Sequence, residues 1–161
     1  MTVGRFISSV SMLVKGNYGI VDVFPGVSST ALRRAQKIIC PVGYIESASM
    51  YHNGGTGNFI LAAYTDNAGK PDVLLGKSAS IPINASAGWQ TLPMESLIPV
   101  AADQEVWLAW VYQTIPGVRY QGSSNQRAQS AEGWAGGMPA EFGASDLGGY
   151  EYSCYFTILN I

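Results

Sequence analysis

The stretch Val106-Trp107-Leu108-Ala109-Trp110-Val111-Tyr112 decides how this chain reads. It carries no charge, and it is far shorter than the roughly 20 apolar residues needed to span a bilayer. β-Branched and aromatic residues dominate it, with Asp103 and Pro116–Gly117 as flanking turn signals, so it reads as a strand rather than a helix. Side chains alternate along a strand, and here neither face is polar. Both faces must therefore be covered by other layers, or one must end on a binding surface. This is the expected central strand of the fold.

The composition agrees. The chain has 161 residues, of which 12% are charged, against about 25% in a typical globular protein. Its 19 glycines and 8 prolines fall between short apolar runs, together with Ser, Thr and Asn. A single all-β domain with a neutral polar surface fits these values. The net charge of −2 gives no general attraction to nucleic acid or anionic lipid, so neither a nucleic-acid partner nor membrane insertion is expected.

Similar runs lie on either side of the central stretch. Tyr44–Tyr51, Phe59–Thr65, Val73–Ile83, Trp89–Pro93 and Ile98–Ala102 precede it, and Val118–Gln121 follows. Gly- and Asn-rich turns separate them at His52–Gly57 and Asp66–Pro71. Arg33, Arg34 and Lys37 open the run ending at Cys40 and read as a solvated strand start. Gly122–Gly149 reads as one long loop with isolated anchors at Trp134, Met138, Phe142 and Leu147. Such loops are usually functional or mobile. Tyr150–Ile161 closes the chain as a half-buried strand, with Tyr152, Cys154, Phe156 and Ile158 on one face.

At the other end, Phe6, Ile7, Val10, Leu13 and Val14 fit one face of a helix, while Phe6, Val10, Met12 and Val14 fit one face of a strand. Serines and β-branched residues favour the strand, and Gly16–Asn17 breaks it. This gives an N-terminal extension over residues 1–17, with both chain ends held in place, and a main domain over 18–161. Serines dilute Phe6–Val14, and no cleavage site follows convincingly, so no export signal is expected there. About eight to ten short strands separated by turns describe a two-sheet antiparallel β-sandwich, with a jelly roll as the expected topology.

Catalytic chemistry has little to work with. His52 is the sole histidine and reads as a surface residue beside a turn. Cys40 and Cys154 read as two buried thiols, although a pairing is open. One histidine and two cysteines nearly exclude zinc or iron sites with several ligands. The acids show no recognisable spacing, so no enzyme and no resident cofactor are expected. A polysaccharide-acting enzyme, which needs paired carboxylates in a cleft, is the minor alternative. Asp66, Asn67 and Asp72 supply hard oxygen donors and form the candidate calcium site, though Asx turns explain the first two without metal. Glycan recognition needs flat aromatic faces with polar neighbours. Tyr112, Tyr120, Trp134 and Tyr150 are the candidate platforms, with Asn125, Gln126 and Arg127 as polar partners.

A set of motifs in fixed order adds to this. Arg33-Arg34-Ala35 runs into an apolar segment, followed by Tyr64-Thr65-Asp66-Asn67-Ala68-Gly69-Lys70-Pro71 and by Trp89 ahead of Leu92-Pro93. Val106-Trp107-Leu108-Ala109, Phe142-Gly143 and Tyr152-Ser153-Cys154-Tyr155-Phe156-Thr157 come next. Over roughly Tyr18 to Ile161, the order resembles jelly-roll β-sandwich domains of bacterial extracellular proteins and phage virion or tail proteins. These are non-catalytic and similar to carbohydrate-binding modules. The resemblance implies a structural subunit or decoration on a virion, tail or extracellular surface, forming homo-oligomers or joining other surface proteins. Pairing of Phe6, Val10, Met12 and Val14 with a neighbour's sheet edge is the expected assembly contact. A free-standing carbohydrate-binding module, stabilised by calcium, is the alternative.

Overall fold

The computed structural model describes residues 14–160. Phe6, Val10 and Met12 of the expected assembly strand lie outside that range, as does the expected order of both chain ends. The described chain is a two-sheet antiparallel β-sandwich. Its strands are β1 (Val14–Gly19), β2 (Gly26–Val27), β3 (Arg34–Cys40), β4 (Gly43–His52), β5 (Asn58–Asn67) and β6 (Lys70–Lys77). They continue with β7 (Ile81–Pro82), β8 (Gly88–Val100), β9 (Gln104–Tyr112), β10 (Arg119–Gln129), β11 (Asp146–Tyr152) and β12 (Cys154–Asn160). One sheet runs β1-β12-β4-β8. The larger runs β11-β10-β3-β9-β5-β6, with β2 pairing to β10 and β7 to β5. No helix among the described residues is long and apolar enough to cross a membrane.

β9 is the strand read from Val106–Tyr112, and it lies inside the larger sheet between β3 and β5. Its alternation serves two separate cores. Val106, Leu108, Trp110 and Tyr112 face the other sheet, packing with Ile45, Met50, Phe59, Phe156 and Ile158. Trp107, Ala109 and Val111 point outward, where Tyr64, Met138 and Phe142 cover them. An uncharged strand is thus buried on both faces, as its lack of a polar face demands.

The outer cover comes from residues 130–145, the middle of the expected loop. Its backbone is tied to β6 by Leu74 N–H donating to Ala140 O at 2.9 Å and Phe142 N–H donating to Asp72 O at 2.8 Å. Arg33 is 3% exposed, which corrects its reading as part of a solvated strand start. Its guanidinium donates to Gly137 O, Ser130 Oγ and Phe142 O at 3.2, 3.1 and 3.0 Å. It also lies 5.0 Å from the Phe142 ring centroid. A buried charge with three acceptors stitches the cover down.

Several boundaries differ from expectation. Gly122–Gly149 is not one loop, because β10 and β11 take up both of its ends. β1 runs straight through Gly16–Asn17 and pairs with β12, so these residues do not break the chain. Trp89–Pro93 and Ile98–Ala102 merge in β8, at the edge of its sheet, where prolines cost no ladder bond. The closing strand divides at Ser153, and its two halves belong to different sheets. Ser153 is fully buried and holds the crossing in place: its Oγ accepts from Phe24 N–H at 3.0 Å, and its carbonyl accepts from Tyr51 N–H at 3.1 Å.

His52 is fully buried rather than on the surface. Gly54 N–H donates to Nδ1 at 2.9 Å, so the proton sits on Nε2 and is donated to Gln90 Oε1 at 2.8 Å. Burial lowers its pKa from the ordinary value, and the Gln90 bond offsets this in part. Cys40 and Cys154 are both free and buried. Burial pushes the Cys40 thiol up to about 12 and the Cys154 thiol higher still.

Candidate functional site

The two sheets differ in width. β1 packs over β3, β12 over β9, and β4 and β8 over β5. β10 and β11 therefore extend the larger sheet beyond the edge of the smaller one. On β3 the inward face is apolar at Ile38 and Cys40, both in the main core, but polar at Gln36 and Arg34. Register carries that face outward. Arg34 pairs with Gln129, Gln36 with Arg127, Arg127 with Gly148, and Gly122 with Tyr150. Side chains at paired positions share a face. The face that forms core over β9 thus becomes a polar, aromatic surface where the covering sheet stops.

Arg34, Arg127, Tyr120, Tyr150 and Tyr152 meet there around a hollow of about 140 Å³, which Ser28 and Ser29 complete. Tyr120 meets Tyr150 edge-on at 5.6 Å and leans on Tyr152 at 5.6 Å. The Arg127 guanidinium lies 5.2 Å from the Tyr150 ring centroid, and that of Arg34 lies 5.7 Å from Tyr152. Gln129 Oε1 accepts from both arginines, from Arg34 Nε at 2.7 Å and Arg127 Nη1 at 2.9 Å. Arg34 Nη1 also donates to Ser28 Oγ at 2.9 Å and Tyr152 Oη at 2.6 Å.

All of these acceptors are neutral. The ion pairs among the described residues are Lys15–Glu46 and Lys37–Glu105, and neither arginine takes part. Burial lowers the Arg34 pKa, with Tyr152 opposing and the like charge of Arg127 adding to the shift. An arginine so placed stays charged.

Between Gly122 and Arg127 the pairing of β10 with β11 slips, so Ser123–Gln126 bulge from the strand. Bulges of this kind re-aim side chains next to functional sites. Asn125 is anchored through Nδ2 donating to Glu151 Oε2 at 2.9 Å, and Gln121 Nε2 holds the other carboxylate oxygen at 2.6 Å. Ser124, Asn125 and Gln126 line a second groove of about 400 Å³ on the opposite, outer face, with Lys37, Gly69 and Leu147. Trp107 floors it, under the Lys37 ammonium at 5.9 Å from its ring.

The structure thus gathers Tyr120, Tyr150 and Arg127 in one hollow and puts Asn125 and Gln126 on the outer groove. Trp134 lies apart, in the short 3-10 helix Trp134–Gly136, against the outer core. Tyr112 is no platform at all. It is 3% exposed and stacked on Phe59 with centroids 4.7 Å apart. Of the calcium candidates, Asp66 accepts from Trp107 Nε1–H at 2.8 Å and from Gly69 N–H at 3.4 Å. No cluster of three or more His, Cys, Asp or Glu side chains able to hold a metal occurs among the described residues. Val14 begins β1 and is 59% exposed.

Arg34, Gln129 and Tyr152 were not singled out from sequence as site residues. The signal was present in β3, where Arg34 and Gln36 share a parity with Ile38. A face that turns from polar to apolar along one strand marks the margin of a core.

No protein-family model, curated protein or solved structure matches this chain.

Proposed function

We propose that the chain is a non-catalytic glycan-recognition domain of jelly-roll topology that works on a virion or other extracellular surface. The strand order supports the topology. Leaving out β2, β7 and the β10–β11 hairpin, the remaining strands pair as β1 with β12, β3 with β9, β4 with β8 and β5 with β6. These are nested pairs, outermost to innermost, as in one long hairpin rolled into two sheets. The surface setting rests on the ordered sequence motifs and their resemblance to extracellular and virion domains.

One observation carries the recognition reading. Tyr120, Tyr150 and Arg127 converge on an open hollow beyond the edge of the sandwich; Tyr120 packs against the main core, and Tyr150 lies outside it. Tyr150 is 39% exposed, and aromatic rings left in solvent beside hydrogen-bonding groups suit the apolar faces and hydroxyls of sugars. The test is a glycan array probed with the labelled chain and with Tyr150→Ala. Binding to a defined set of glycans, lost in the variant at unchanged melting temperature, is expected. An array with no hit overturns the reading.

A second reading, assembly through the N-terminal end, is favoured by the open side of β1. This strand pairs with β12 alone, and its backbone edge is free on the other side among the described residues. Such an edge is a template for another strand. Deleting residues 1–13 leaves β1 whole. If the extension joins subunits, the particle mass by light scattering falls to that of a monomer, and an unchanged mass removes this reading.

A further inference from the structure

The Arg34–Arg127 pair has no evident structural need for two charges. Every acceptor it uses is neutral, and the two guanidiniums converge on the single oxygen of Gln129. Like charges held together repel each other, and sites of this kind are relieved by an anion. Donor capacity also remains unused. Arg34 spends Nε and Nη1 and Arg127 spends Nη1, which leaves Nη2 of each without an acceptor among the described residues. Arg127 Nε is also buried without a partner among them. Gly148 makes room for the second guanidinium: a Cβ there would stand 2.7 Å from Arg127 Nη2.

We propose that this hollow is an anion subsite, in which Arg34 and Arg127 bind the carboxylate or sulfate group of an acidic saccharide while Tyr150 and Tyr120 flank its ring. The proposal deepens the glycan reading and rests on it. Neutral hydroxyls need no paired guanidiniums, whereas a planar carboxylate or a sulfate matches the parallel N–H donors of arginine. The hollow, at about 140 Å³, accepts a small charged group with part of a ring. The remaining sugars would run over the exposed side of Tyr150. This assigns ligand class to residues that otherwise look like packing on a sheet margin.

The test is calorimetric titration of the full chain with an oligogalacturonate, a heparin-derived oligosaccharide and uncharged cellohexaose. At least one acidic ligand is expected to bind tenfold or more tightly than the neutral one, and to weaken in higher salt. Arg127→Gln should lose about tenfold, the factor that separates a charged from a neutral hydrogen bond. Gly148→Ala should lose affinity with the arginine still present, because its methyl group displaces the guanidinium. Lys15→Gln, far from the hollow, should bind as the native chain does. Lowering the pH from 7 to 3 separates the two anions: the free carboxylate takes up a proton near pH 3.5, so a uronate ligand weakens about fourfold by pH 3, while a sulfated one keeps its affinity. Equal affinity for acidic and neutral ligands, or full affinity in Arg127→Gln, overturns the anion subsite and leaves glycan recognition standing. No binding to any ligand here or on the array overturns both.

Discussion

Replacing Arg33 by Met tests whether the 130–145 cover is held by a buried charge or by apolar contact alone. Met keeps the length and the apolar stem but removes all three donors. Gly137 O, Ser130 Oγ and Phe142 O then lose their guanidinium partner, and the Phe142 ring loses its cation. Hydrogen bonds to a charged group contribute about 1.5–3 kcal/mol each. Against this stands the relief of no longer burying a guanidinium, which is several kcal/mol. The net loss should be about 2–4 kcal/mol, or roughly 4–16 °C in Tm for a chain of this size. A domain of typical stability, about 5–15 kcal/mol, survives that loss folded.

The local signature is sharper than the global one. Leu74 N–H and Phe142 N–H tie the cover to β6, so their amide hydrogen exchange should accelerate more than that of the β9 amides. Urea unfolding together with site-resolved exchange gives both readings. A Tm within 1 °C of the native value, or unchanged protection at Leu74 and Phe142, refutes the stitching argument. Trp107 would then be covered by packing alone.

Other outcomes follow from buried groups. His52 has a folded pKa below its unfolded value, so its contribution is complete above about pH 6.5. It is lost as the pH falls below that value, because only the unfolded chain takes up the proton there. His52→Gln should flatten the fall in stability below pH 6.5, and an unchanged pH profile would contradict this assignment. Tyr112 buries a hydroxyl with no partner among the described residues, so Tyr112→Phe should leave stability unchanged or raise it by about 1 kcal/mol in urea titration. A loss above 1 kcal/mol would show a bond the fold does not reveal. Cys40 and Cys154 should react with a thiol reagent only on unfolding, two per chain, because burial keeps both protonated. Rapid labelling of the native chain would count against that burial.

The central strand was readable because β9 is buried on both faces, so its sequence has no reason to alternate. Tyr152, Cys154, Phe156 and Ile158 were correctly placed on one inward face, and they all lie in the main core. The change of sheet at Ser153 was not readable, since a strand that crosses between facing sheets keeps its inward side and leaves the parity intact. β10 was hidden for the opposite reason. Its Gly122–Gln126 segment lies over no second sheet and needs no apolar alternation, so composition alone marked it as loop. His52 was misread because a buried imidazole depends on Gln90, 38 positions away. The hollow was half legible. Tyr120 and Tyr150 stood out as aromatics beside loops, with Arg127 as a polar neighbour, while Arg34 and Tyr152 enter only through the pairing of β3, β10 and β11.

The account turns on where a ligand sits. Two-dimensional amide spectra of the chain, recorded while an acidic oligosaccharide is added, test that most directly. Shifts confined to Ser28, Ser29, Tyr120, Arg127 and Gly148–Tyr150 are predicted, with the Trp107 indole N–H unmoved. Shifts centred on Trp107, Lys37 and Gly69 would place binding in the outer groove and contradict the account.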